Sequence, residues 1–134
     1  IIGCLNHWVD GWIDWNMVLD RQGGPNWFEN WCIAPVIVDP VADDVYFTPL
    51  FDVMCHFSKF LRPGATVLAC ECDDPELMTV AAETEDGTHV LVCFNPGEAP
   101  RSLCIAGLSE DVRVRIESEA IQTIIIRSQN PSNP

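Results

Sequence analysis

The hydrophobic pattern of this chain changes period at Pro63-Gly64, and no single regular element can run through that break. Before it, Leu50, Val53, Met54, Phe57 and Leu61 recur at helical spacing, with Phe51 and Phe60 widening the stripe. Thr48-Pro49 supplies an N-cap and a first-turn proline, and Pro63-Gly64 ends the helix. After the break, short apolar runs alternate with turn residues. Strands are expected over 66–72, 77–83, 88–95, 101–105, 112–117 and 120–127, with tight turns at Asp86-Gly87 and Asn95-Pro96-Gly97. Val112, Val114 and Ile116 alternate with Arg113, Arg115 and Glu117, which gives one buried and one wet face. Short strands at this spacing predict a β-sandwich. The expected organisation is an α/β part over 1–63, an all-β part over 64–127 and an unstructured polar tail over 128–134.

The α/β part holds all five tryptophans, between Trp8 and Trp31 in the run HWVDGWIDWNMVLDRQGGPNWFENW. Asp10, Asp14, Asp20, Glu29, Asn16, Asn26 and Asn30 are interleaved with them. Indole faces pack on the C–H face of a sugar ring, while carboxylates and amides reach its hydroxyls, so the mixture suits a carbohydrate cleft. The competing reading is that these tryptophans fill a core. Residues 1–6 read as the tail of a helix. Residues 8–15 read as a strand with Asp10, Trp12 and Asp14 on one face and Val9, Gly11, Ile13 and Trp15 on the other. The connection over 16–47 is rich in Gly, Pro and Asn, yet carries two tryptophans and an apolar stretch from Ile33 to Val38. It is expected to be the ordered rim of a cleft.

Composition removes several function classes. Twenty acidic residues against 7 basic give a formal charge of −13, which disfavours nucleic acid as a partner because phosphate binding needs clustered Lys and Arg. The same charge opposes adsorption to anionic lipid at neutral pH, an objection that weakens at acidic pH. No apolar run reaches the length of a transmembrane segment, and no targeting peptide is visible. The 7 cysteines leave at least one unpaired within the chain. Cys70-Glu71-Cys72 would place both sulfurs on one face of a strand. Zinc would want a second close-spaced pair, so most cysteines read as small buried apolar residues. His7, His56 and His89 stand apart in sequence and read as structural, with His56 in a packed helix end.

Four ordered blocks carry a resemblance: Gly11-Trp12-Ile13-Asp14-Trp15-Asn16, Gly23-Gly24-Pro25-Asn26-Trp27, Pro35-Val36-Ile37-Val38-Asp39 and His56-Phe57-Ser58-Lys59-Phe60. Together they resemble the end of the catalytic barrel in the glucosylceramidase (lysosomal acid β-glucosidase) group of glycoside hydrolase family 30. The likeness runs from Ile1 to about Arg127. It implies an α/β plus all-β fold class: the last strand–helix unit of a TIM (β/α)8 barrel, followed by an incomplete β-sandwich. A closed barrel needs roughly 250 residues, so the expectation is a C-terminal fragment of a longer parent.

The resemblance implies a retaining hydrolase that cleaves a glycolipid β-glucoside through a glycosyl-enzyme intermediate. Two catalytic glutamates would lie on barrel strands outside this chain. No catalytic residue is therefore expected here, and the chain alone should be inactive. Trp15 would line the sugar subsite, Asp14 would support it, and Asn30 and Trp31 would stand at the entrance. Neither metal nor organic cofactor is implied. A lipid-presenting activator protein is implied as a partner, with a lysosomal or secreted location. Cys4, Asn6 and His7-Trp8 depart from the family pattern, and likeness past Cys70 is scattered. Three alternatives stay open: Asp14 and Glu29 as a local carboxylate pair, a non-catalytic module with Trp15, Trp27 and Trp31 as a platform, and a hydrolase of another β-glycoside such as a xylan or a β-1,6-glucan. The His56–Phe60 block leans towards the glycolipid branch.

Overall fold

The computed structural model describes residues 1–29, 31–107 and 111–127. The expected helical tail is present as a short helix, α1 (Ile2–Leu5), which buries Ile2. From Gly11 to Lys59 the chain forms one compact unit; Ile1–Asp10 and Phe60 onward form another.

The strand expected over 8–15 is absent. Residues 9–14 have no strand partner, Trp8 has φ +66°, and Ile13 and Trp15 lie open to solvent. A lone extended segment with no neighbouring strand has no ladder in which to place its amides. Sequence alternation alone cannot supply that neighbour.

The connection over 16–47 is more regular than expected. It forms a three-stranded sheet of β1 (Val18–Asp20), β2 (Val36–Asp39) and β3 (Asp44–Phe47), in the order β1-β2-β3. β1 pairs parallel to β2 with Val18 opposite Val36, and β2 pairs antiparallel to β3 with Val36 opposite Phe47. Strands of three or four residues show little periodicity. The β1–β2 pairing also joins residues far apart in sequence, so it left no local signal.

Helix α2 (Pro49–Ser58) begins where Thr48-Pro49 predicted. The Thr48 hydroxyl does not cap it; it donates to the Ala34 carbonyl at 2.9 Å and also reaches that of Pro35 at 3.3 Å, tying the helix start to the segment before β2. The helix stops at Ser58, short of Pro63, with Lys59 as C-cap. Phe57 is its buried anchor, and Phe51 meets Phe47 of β3 with ring centroids 4.5 Å apart.

All six strands expected after residue 64 are present: β4 (Thr66–Leu68), β5 (Met78–Glu83), β6 (His89–Asn95), β7 (Arg101–Ile105), β8 (Val112–Ile116) and β9 (Ala120–Ile126). β4-β5-β6-β9 make one antiparallel sheet, while β7 and β8 pair separately. Leu91, Cys93 and Ile116 are buried together, with Ala81, Leu103, Ile105 and Ile124 packed against them. β8 alternates as its sequence required, burying Ile116 and exposing Arg113 and Arg115. α1 packs on β5, where the Asn6 side-chain amide donates to the Thr79 carbonyl at 2.8 Å.

Two turns explain the order. Asp86-Gly87 closes the β5–β6 hairpin, with Gly87 at φ +77° and the Asp86 carboxylate accepting from the Thr84 hydroxyl and the Thr88 amide. Those hydrogen bonds hold the Asp86 carboxyl below the usual carboxylate range. Asn95 is fully buried. Its amide nitrogen donates to the carbonyls of Ala99 and Glu117, each at 2.9 Å, while its oxygen accepts from the Gly97 N–H at 3.0 Å.

β4 ends at Leu68, so Cys70 and Cys72 lie beyond the strand that was expected to carry them. All seven cysteines are free, and Cys93 alone among them is buried. The expectation of mostly buried thiols is thus corrected: too few strands flank the segment around Cys70 to enclose it. The tail over 128–134 lies outside the described residues.

Candidate functional site

The Gly11–Lys59 unit contains a cleft of about 500 Å3. Trp15 and Asn16 line it from the segment before β1. Pro25, Asn26, Trp27 and Phe28 line it from the connection between β1 and β2, together with Gly23 and Cys32.

Local chemistry fixes both parts. The Asp14 carboxylate accepts the Trp15 backbone N–H at 2.8 Å, so Asp14 holds the main chain that carries this indole. At the root of the rim, Asp20 Oδ1 accepts from the amides of Gln22 at 2.9 Å and Gly24 at 2.8 Å. The Asp20 N–H donates to the Gly24 carbonyl, and the Gly23 N–H to that of Asp20. Gly23 has φ +72°, and a Cβ there would lie 2.7 Å from the backbone of Cys32. Only glycine lets the two ends of the rim approach so closely.

Of the residues singled out from sequence, Trp15 lines the cleft. Asp14 acts one residue away through the backbone. Trp31 is not in the lining and is largely exposed, while Asn30 lies outside the described residues. Glu29 has φ +51° in the rim, and neither it nor Asp14 is among the described residues that line the cleft. Sequence reasoning missed Pro25 and Phe28 as lining groups. The available signal was the Trp27-Phe28 pair inside an otherwise polar loop, since adjacent exposed aromatics away from a core suggest a contact surface.

The cleft offers flat apolar faces, amides and backbone groups, which suits a ring bearing hydroxyls. Among the described residues that line it there is no carboxyl group, and thus no acid–base pair.

The sandwich holds a second, more apolar cleft of about 370 Å3, lined in part by Leu68, Ala81, Leu103 and Ile126, with Cys70, Cys72 and Cys104. Burial pushes the neighbouring Cys93 thiol up to about 12, so it stays protonated and unreactive at neutral pH. Among the described residues, no group of three or more His, Cys, Asp or Glu is placed to hold a metal ion. No described helix is long and apolar enough to cross a membrane.

Comparison with known proteins places a boundary near the Lys59–Phe60 break but groups Ile1–Asp10 with the first part of the chain. Residues 1–61 match the glycosyl hydrolase family 30 TIM-barrel domain, and residues 64–124 match the glycosyl hydrolase family 30 beta sandwich domain. Putative glucosylceramidase 2 of Caenorhabditis elegans is 36% identical over 96% of this chain and 26% of its own length. The lysosomal acid glucosylceramidase of Mus musculus is 42% identical over 71% of this chain and 19% of its own length. The crystal structure of SrfJ from Salmonella typhimurium superposes with a TM-score of 0.92 at 29% identity, over 96% of this chain and 29% of that one. The endo-beta1,6-glucanase BT3312, at 23% identity and a TM-score of 0.82 over 91% of this chain and 28% of that one, shares the fold. This chain thus spans about a quarter of the length of the first of these relatives. With one family's two domains matched in order along nearly all its residues, the chain belongs to glycosyl hydrolase family 30.

Proposed function

We propose that this chain is the C-terminal part of a retaining β-glucosidase acting on glucosylceramide-type glycolipids, and that it supplies one wall of the sugar subsite. The observation that carries this reading is the cleft in which Trp15 and Asn16 meet Trp27 and Phe28. Trp15 provides a stacking face and an indole donor, with Asp14 fixing its backbone. Trp31 belongs to the entrance rim. Residues 1–63 act as the end of the barrel and 64–127 as the sandwich domain. The two carboxyl groups that retaining hydrolysis needs, about 5–5.5 Å apart, come from elsewhere in the protein.

The names of the worm and mouse relatives support a glucosylceramide substrate, and that of the mouse protein supports a lysosomal location. A lipid-presenting activator protein is the partner this chemistry calls for, since a glycolipid must leave its membrane to enter a cleft.

The test is hydrolysis of a soluble β-glucoside by this chain and by the full-length protein. Turnover by the full-length protein alone, weakened by Trp15→Ala, is the expected result. Turnover by this chain that disappears in Asp14→Asn or Glu29→Gln would overturn it. One observation favours a second reading, a non-catalytic carbohydrate-binding module: Trp15, Trp27 and Trp31 are 81%, 94% and 70% exposed, as in a binding platform. Sugar binding by a full-length protein that never hydrolyses a glycoside would favour the module.

A further inference from the structure

The cleft has a foundation that the stacking residues do not explain. Six of its lining residues, from Gly23 to Cys32, sit on the rim between β1 and β2. That rim leaves β1 through the Asp20–Gly24 turn, which Asp20 closes upon itself. A self-contained turn fixes its own shape, but not its placement against the sheet. Arg21 lies inside this turn, and its guanidinium donates to Asp39 Oδ2 at 2.8 Å.

Asp39 ends β2 and is 3% exposed. Its other oxygen accepts from the amides of Val41 at 3.0 Å and Ala42 at 3.1 Å. The carboxylate is therefore immobilised by the β2–β3 turn before Arg21 reaches it. Arg21 itself is 64% exposed, so little of its side chain is packed. One end of the ion pair is rigid, and the other carries the rim.

We propose that Arg21 is a positioning residue: held by Asp39, it sets the placement of the Pro25–Phe28 rim against Trp15, and so tunes affinity for the sugar. The inference rests on the cleft being the sugar subsite. It differs from it in naming a residue that touches no substrate. A rim that drifts loses its stacking geometry with the ring, which weakens binding while leaving the catalytic carboxyl groups in place. Lysine keeps the charge and part of the reach, but it lacks the planar fork that fixes a guanidinium's direction.

The experiment compares Arg21→Ala, Arg21→Lys and Trp15→Ala in the full-length protein, reading KM and kcat on a soluble β-glucoside together with thermal melts. Arg21→Ala should raise KM by roughly 3–10-fold with kcat within about twofold. Arg21→Lys should recover part of that loss. The melting temperature should fall modestly in Arg21→Ala and less in Arg21→Lys, because the buried Asp39 keeps the Val41 and Ala42 amides but loses its cation. An unchanged KM in folded Arg21→Ala protein overturns the proposal, as does a lower melting temperature with no change in KM. If Trp15→Ala raises KM and Arg21→Ala does not, the positioning role fails and the subsite stands. If Trp15→Ala leaves both parameters unchanged, the subsite reading itself fails.

Discussion

Asn95 and Trp15 stand at opposite extremes of burial, one enclosed by its hydrogen bonds and the other proposed to meet a sugar. Three hydrogen bonds converge on the Asn95 side chain, in a site with no access to water. Asn95→Ala strands two carbonyls and an amide, and should destabilise the sandwich by about 2–4 kcal/mol in denaturant unfolding. Asn95→Asp should do no better, because a carboxylate cannot donate to the carbonyls of Ala99 and Glu117. Trp15 is open to solvent, so Trp15→Ala should leave the melting temperature of the full-length protein nearly unchanged. Its kcat/KM should nevertheless fall by about 2–4 kcal/mol, the range for losing one preorganised contact to the transition state. The Trp15 position was legible from its motif. Asn95 read only as a turn residue, because its partners at Ala99 and Glu117 are brought to it by strand pairing.

At the scale of elements, α2 and the β5–β6 hairpin were both legible, and each carries a measurable signature. His56 on α2 has its pKa lowered from 6.5 by loss of solvent, with Asp52 opposing the shift. Its neutral form is favoured in the folded state, so its contribution is present above pH 6.5 and is lost as pH falls from there through the folded pKa. His56→Gln should therefore reduce the fall in unfolding midpoint between pH 7 and about 5, measured against the parent protein. Asp39 has the same sign at lower pH. The Ala42 amide and Arg21 hold its pKa below the ordinary 3.8, so its contribution persists through mild acid and fades only beneath that value. In the hairpin, Gly87 has φ +77°, and Gly87→Ala should lower stability by about 1–2 kcal/mol.

Across the whole molecule, the two units differ in how much of their surface they bury. The sandwich unit has a hydrogen-bonded four-stranded sheet and a shared apolar core. The Gly11–Lys59 unit buries Leu19, Ala34 and Phe57 while leaving Ile13, Met17, Phe28, Ile33 and Val41 exposed. So much open apolar surface is expected of a part that packs against further protein. In this chain alone, amides of Gly11–Lys59 should exchange at least about 100-fold faster than those of β5, β6 and β9. Equal protection in hydrogen exchange would contradict that expectation.

Local chemistry in the sequence determined the helix start at Thr48-Pro49, the hairpin at Asp86-Gly87 and the six strands after residue 64. Each depends on neighbours in the chain: a first-turn proline, a turn residue, a period of two. The tertiary structure alone decided which segments find a partner. It left 8–15 without a ladder despite its alternation, and it joined Val18 to Val36 in a parallel pair that no local pattern announces. It also brought Arg21 to Asp39 and Trp15 into one cleft with Trp27 and Phe28. Backbone hydrogen bonds and ion pairs between distant residues need a partner at the right place in space, and a sequence pattern specifies only the residue that is waiting for one.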